Sequence, residues 1–279
     1  MDLFLLCETK KTKVWTIEAI KERIGPLSAG LYEVSEIVEL LLSEAPRFVR
    51  SGVLTAEFLV SAFGRERLPS LGIFLSAERL SVSDLPGRYL VAGGEVTQTN
   101  PLAHGIFLGD TAVTILAGEG SFFGQSTGEV KGTGRGFAYE SSMVDALDRS
   151  FVSYTDKTSG LVRDRAEAVG GGFASLQVSQ EGSLRVSDEA FFLARHKAVI
   201  EASGRAYGMG FDESIIVPRG DTFVVPMDES VAVEASESCR VAPLIKDESS
   251  WNALRCLGAS YPYRGDRRRE MERICHMNV

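Results

Sequence analysis

Few residues in this chain can move a proton, hold a metal or attack a carbonyl. There are three histidines, His104, His196 and His276, and none has a second ligand at metal spacing. Zinc and other transition-metal sites need clustered His, Cys or carboxylate ligands, so metal chemistry is not expected and no cofactor is assigned. His104 follows Asn100-Pro101 and reads as a turn residue, and His196 in ARHKA reads as a charged strand position. The four cysteines, Cys7, Cys239, Cys256 and Cys275, form no C-x-x-C pair, and reduced thiols are the expectation. Cys275-His276 is an adjacent pair whose side chains diverge on a helix, which suits a nucleophile and its base poorly. No G-x-S-x-G elbow supports Ser-His-Asp catalysis. Gly132-Thr133-Gly134-Arg135-Gly136 lacks the Lys-Ser/Thr of a phosphate loop and leads into a strand rather than a helix. The catalytic, cofactor and metal assignments are therefore all empty.

Two groups of charged residues stand out. Asp145, Asp148, Asp156, Asp212, Asp221 and Asp228 recur near strand ends. They can converge as the carboxylates of a small-molecule enzyme, but turn chemistry explains them more simply. Arg264, Arg267, Arg268, Arg269 and Arg273 form one basic cluster near the C-terminus. They read as a solvated helix with pairs such as Arg268–Glu272, or as a docking tail for an acidic protein, RNA or an anionic membrane surface. Arg219–Asp221 and Arg264–Asp266 are Arg-Gly-Asp triplets, read as a turn before a strand and as the lead into a capped helix.

The elements that must position these groups fall into three textures. Residues 1–68 form a helical segment. Ile17, Ile20 and Ile24 line one face, Leu31, Val34, Val38, Leu41 and Leu42 another, and Thr55 caps a short helix with Phe58, Leu59 and Phe63. Residues 69–245 are β-rich, with strands expected at 88–92, 112–116, 136–139, 150–154, 172–178, 214–217, 222–225 and 230–235. Residues 161–170 interrupt them as a polar loop or short helix. Residues 246–279 return to helix, with Ser249 and Asp266 as caps.

Within the β region, 118–160 and 187–233 share three anchors: Phe122-Phe123 with Phe191-Phe192, Gly134-Arg135 with Gly204-Arg205, and Phe151-Val152 with Phe223-Val224. Their separations of 69, 70 and 72 residues suggest a duplicated unit, about 85–160 and 170–240. The fold expected is mainly β with helical N- and C-terminal segments: an internally duplicated antiparallel β domain of prism, barrel or sandwich type.

Composition narrows the partners. A net charge of −8 opposes a general nucleic-acid binder. No window reaches the roughly 18 apolar residues of a membrane span, and the apolar run of MDLFLLCETKKTK is too short for the signal-sequence reading to be expected. With 28 glycines against 9 prolines, tight turns are plentiful.

Gly118-Glu119-Gly120-Ser121-Phe122-Phe123 and the stretch Ile215-Ile216-Val217-Pro218-Arg219-Gly220-Asp221-Thr222-Phe223-Val224-Val225-Pro226-Met227-Asp228-Glu229-Ser230-Val231 carry a resemblance. The first resembles the opening, and the second the D-x-S-V hairpin, of the altered inheritance of mitochondria protein 24 family. The similarity spans about residues 85–240. The second copy departs from it at Ser187-Asp188-Glu189, and both helical ends lie outside the pattern. The resemblance implies a pseudo-symmetric β domain without known catalysis, associated with mitochondrial inner-membrane organisation.

The resulting expectation is an intracellular, non-enzymatic scaffold or assembly subunit, mitochondrial on the resemblance, whose partners are other protein subunits. Leu40-Leu41-Leu42 and Phe58-Leu59-Val60 supply its apolar contacts. One alternative is an RNA-associated protein using the Arg cluster with Phe137, Tyr139 and Tyr154 as stacking platforms. The other is the carboxylate enzyme.

Overall fold

Eight residues, repeated, build most of this protein. In the computed structural model four-residue strands begin at Arg135, Met143, Phe151, Ser159, Glu167, Ser175, Ser183, Phe191, Val199, Tyr207, Ile215 and Phe223, eight residues apart. The structure describes residues 34–83, 87–227, 231–232, 235–236, 238–242, 248–259 and 267–276. The chain divides into two units between Phe74 and Leu75.

The first unit is helical: Val34–Ser43, Ala45–Arg50 and Ala56–Phe63, then two short 3-10 turns at Arg65–Arg67 and Pro69–Leu71. Pro46 sits in the first turn of its helix, where its missing N–H is not needed. Thr55 caps as expected, its Oγ1 accepting the Phe58 N–H at 3.2 Å. Val38, Leu41, Leu42, Phe58, Leu59 and Phe63 are buried. Leu41, Leu42, Phe58 and Leu59 are thus core residues rather than exposed contacts, Val60 is half-buried, and the side chain of Leu40 lies outside the described residues. Ile17, Ile20, Ile24 and Leu31 lie outside the described residues.

The second unit is a parallel β-solenoid of about ten turns. From Ala103–Leu108 onward, each strand pairs in parallel with the strand two places further along the chain, never with its immediate successor. Phe151 stands opposite Glu167, Glu167 opposite Ser183, Ser183 opposite Val199 and Val199 opposite Ile215, each partner sixteen residues on. Two strands per turn make two walls. The chain enters through the twelve-residue strand Gly87–Gln98, which pairs with Ala103–Leu108 on one wall and Ala112–Ile115 on the other. It passes between walls at Gly93-Gly94, whose φ values of 86° and 101° side-chain-bearing residues rarely adopt.

Each octad has the same anatomy. The first and third residues face outward. The second and fourth point inward and are buried, as with Val144 and Ala146 or Ile200 and Ala202. The N–H of the eighth residue closes a turn on the carbonyl of the fifth, as from Ser142 to Tyr139 and Ala190 to Ser187. That eighth residue is small and buried: Ser142, Ser150, Thr158, Ala166, Ala174, Ala190, Ala198 and Ala206. The sixth sits at φ near +60°, in Glu140, Asp148, Asp156, Asp164, Gln180, Asp188, His196 and Asp212, with glycine at 124, 132, 172, 204 and 220.

The antiparallel, duplicated domain expected from the sequence is therefore corrected. The turn closing each corner is the kind that closes a hairpin, but the chain beyond it climbs to the next rung instead of pairing back. Ile215–Pro218 and Phe223–Pro226, expected as a hairpin, pair with different neighbours. The seventy-residue repeat dissolves as well. Phe122-Phe123 are the fourth and fifth residues of their octad, whereas Phe191-Phe192 are the first and second. Residues 161–170 are no interruption, since they span the end of strand Ser159–Val162, a corner and strand Glu167–Gly170.

Outward rows near the C-terminal end of one wall are apolar: Phe191, Tyr207 and Phe223 beside Leu193, Met209 and Val225. All six are buried, joined in one cluster by Leu254 of helix Glu248–Ala259 and by Met271, Ile274 and Cys275 of helix Arg267–His276. The amphipathic C-terminal helices thus lie on the solenoid wall. Burying side chains of this size contributes about 1.5–3 kcal/mol each.

Candidate functional site

The arginine cluster is placed by that packing. The face of helix Arg267–His276 carrying Met271, Ile274 and Cys275 is buried, which leaves Arg269 and Arg273 exposed. Arg273 is paired, its Nε donating to Glu270 Oε2 at 3.0 Å in an i, i+3 pair; the side chains of Arg268 and Glu272 lie outside the described residues. Arg267 and Arg268 occupy the first turn of the helix, where the macrodipole disfavours cations. Arg264 lies outside the described residues, as does the second Arg-Gly-Asp triplet. Arg219–Asp221 is a corner leading into strand Phe223–Pro226, as expected.

Among the described residues the strand-end carboxylates do not converge. Asp148 and Asp212 sit at corners of one edge and Asp156 at the other, because successive corners alternate between edges. Their side chains reach to the rung before. Asp148 Oδ2 accepts the Gly132 N–H at 3.2 Å, Asp156 Oδ2 that of Glu140 at 3.2 Å, and Asp212 Oδ2 that of His196 at 3.2 Å. Glu140, Asp164, Gln180 and Asp188 do the same for Gly124, Asp148, Asp164 and Gly172. The corners form two ladders of side-chain acceptors, each satisfying a backbone donor that the turn leaves unpaired. This is turn chemistry extended along an axis. His196 belongs to it, as a corner residue rather than the strand position expected. Asp221 lies 3.7 Å from Arg240, and Asp228 is outside the described residues.

Asp145 differs. It faces a groove of about 380 Å³ on the wall that the helices cover further along, lined by Glu95, Thr97, Thr114, Thr127, Glu129 and Asp145 among others. Burial pushes its carboxyl above the usual range, with Glu129 adding to the effect, while the Leu161 N–H and Arg163 oppose it. Its Oδ1 accepts that N–H at 2.9 Å. Here the ladder between Met143–Ala146 and Ser159–Val162 is interrupted, with register kept only at its two ends. The Val144 carbonyl accepts Tyr154 Oη at 2.6 Å instead, so two side chains complete what two strands leave open. Asp145 is thereby a structural acceptor. Tyr154 is buried and unavailable for base stacking, Phe137 lies against His104, and Tyr139 stacks on Phe123 with centroids 4.8 Å apart.

The other wall brings together groups the sequence keeps apart. His104 is on strand Ala103–Leu108, not in a turn. Arg88, His104, Glu119, Arg135 and Phe151 form one outward row in register. Ile106, Ser121 and Phe137 form the row beside it. His104 Nε2 is 3.0 Å from Ser121 Oγ, and His104 Nδ1 is 3.3 Å from Glu119 Oε2. Glu119 Oε1 lies 3.5 Å from Arg135. The Phe137 ring lies parallel to the imidazole, with centroids 6.4 Å apart. Burial holds the His104 pKa below its ordinary 6.5, helped by Arg88 and opposed by Glu119. A neutral imidazole beside a carboxylate places its proton on Nδ1, leaving Nε2 to accept from the serine hydroxyl. Chemically, this is a hydroxyl, a base and a carboxylate that orients the base. No local motif announces it: Glu119 and Ser121 lie fifteen and seventeen residues from His104, and only the rung register links them.

No family model, curated protein or solved structure matches the chain. Among the described residues no group of three or more His, Cys, Asp or Glu is placed to hold a metal ion. No described helix is long and apolar enough to cross a membrane.

Proposed function

We propose that this chain is a scaffold or assembly subunit that works through protein–protein contacts on its solenoid walls. The observation that supports this reading is the wall carrying Phe191, Tyr207 and Phe223. It binds amphipathic helices of the same chain through continuous apolar rows. At the same rungs the opposite wall presents Val199 and Ile215 in register, 39% and 43% exposed, beside half-buried Val217. The Arg185–Glu201 pair at 3.4 Å and exposed Arg219 flank this patch. The occupant that fits is an amphipathic helix of another subunit, seated as the chain's own helices are seated across the solenoid. A mixed charged rim around a small apolar centre suits such contact.

Native purification with mass spectrometry of the associated proteins tests this. Recovery in a defined assembly is expected, dispersed by Val199→Asp with Ile215→Asp while thermal unfolding of the isolated chain is unchanged. A monodisperse monomer with no associated protein, at every concentration, would refute it.

A further inference from the structure

We infer that Ser121, His104 and Glu119 form a nucleophilic triad able to take an acyl group from small activated carboxylic esters. This goes beyond the scaffold reading and does not depend on it. The geometry meets the requirement that a nucleophile touch a base and the base touch an orienting group. The two contacts, 3.0 Å and 3.3 Å, run through opposite nitrogens of one ring. His104 stands on one rung and Glu119 and Ser121 on the next rung of a hydrogen-bonded ladder, so their separation is set by strand geometry rather than by a loop. The arrangement also exceeds what stability of the wall requires. A cross-strand Glu119–Arg135 pair would satisfy the carboxylate by itself, yet Glu119 also takes the imidazole, which in turn engages a 4% exposed serine.

The step runs as follows. Ser121 Oγ attacks the ester carbonyl carbon while its proton passes to His104 Nε2, and Glu119 stabilises the imidazolium through Nδ1. Collapse of the tetrahedral adduct breaks the bond to the leaving oxygen, which takes the proton from Nε2 and departs as an alcohol or phenol. Ser121 is left acylated. Water, deprotonated by His104, then attacks the acyl carbon, releases the carboxylic acid and returns the proton to Ser121. Arg88 and Arg135 stand on either side of His104 and Glu119 in the row, and Arg135 lies 3.5 Å from Glu119. Phe137 stands next to Ser121 in register, with its ring parallel to the imidazole.

The test is covalent labelling of the whole chain by an aryl fluorophosphonate, followed by peptide mapping, with p-nitrophenyl acetate turnover in parallel. A single adduct on Ser121 is expected, absent in Ser121→Ala and formed at least about 100-fold more slowly in His104→Gln. Its rate should rise with pH to a plateau, with a midpoint below 6.5, following the neutral imidazole. Circular dichroism melts show that each variant is folded. Phe137→Ala removes the ring next to Ser121 in register, and labelling there is expected to be faster. No adduct on Ser121 in either the natural chain or Phe137→Ala, or a rate unchanged by His104→Gln, would overturn the inference.

Discussion

Asp188 concentrates the logic of the corners in one residue. Its φ is 58°, and its Oδ2 accepts the Gly172 N–H of the previous rung at 2.9 Å. Replacing it separates two contributions. Asp188→Gly removes the acceptor at an exposed site, a loss of about 1 kcal/mol, but relaxes the backbone at positive φ. Asp188→Ala loses the same bond and, unlike glycine, keeps a Cβ in the left-handed region with no compensating contact, about 1–2 kcal/mol worse than Asp188→Gly. Asp188→Asn keeps an acceptor and tolerates positive φ, so it should fall within about 1 kcal/mol of the natural protein. Urea unfolding followed by circular dichroism measures the three, with thermal shifts of about 2–4 °C per kcal/mol in a domain of this size. The order expected is Asn most stable, then Gly, then Ala. Ala equal to or more stable than Gly would refute the account, because the backbone contribution would then be absent.

Two further outcomes follow from the interior and from the outward row. A Cβ on Gly160 would lie 1.9 Å from the Val144 carbonyl oxygen and 2.6 Å from Tyr154 Oη, so Gly160→Ala should destabilise by about 3 kcal/mol in the same urea assay. A stability loss below about 1 kcal/mol would show that the strands part easily there. His104, faced by Arg88 and Glu119, has a folded-state pKa below 6.5, so the unfolded chain binds the proton more tightly. Stability from this group is complete above pH 6.5 and falls as pH drops towards the folded value. His104→Gln should flatten that part of the stability–pH curve, and an unchanged slope between pH 5 and 6.5 would contradict the burial argument.

Much of the local structure was legible because it depends on local chemistry. The Thr55 cap, the buried stripe of Phe58, Leu59 and Phe63, and the turn role of Asp148, Asp156 and Asp212 follow from residue type and neighbours. The solenoid was obscured because its repeat is conserved in shape rather than in letters. The sixth octad position needs positive φ, which Gly, Asp, Glu, Gln and His all supply here, and the eighth needs only small size. Identical pairs such as Phe122-Phe123 and Phe191-Phe192 then drew attention to a period the backbone does not have. Four-residue strands compounded this, being shorter than the runs of alternating residues from which a strand is ordinarily read.

Composition and local pattern by themselves determined that this chain has helices on either side of a β-rich middle with frequent tight turns, and carboxylates serving those turns. Only the tertiary structure decided that each strand pairs with the one sixteen residues on. A corner of four residues is compatible with either a hairpin or a rising coil, and the choice is made by hydrogen bonds between rungs. The same register decided that His104, Glu119 and Ser121 meet, and that the apolar rows ending in Phe223 and Val225 are covered by the C-terminal helices. Side chains distant along the chain become neighbours at the roughly 4.8 Å spacing of strands, a proximity that no local sequence window contains.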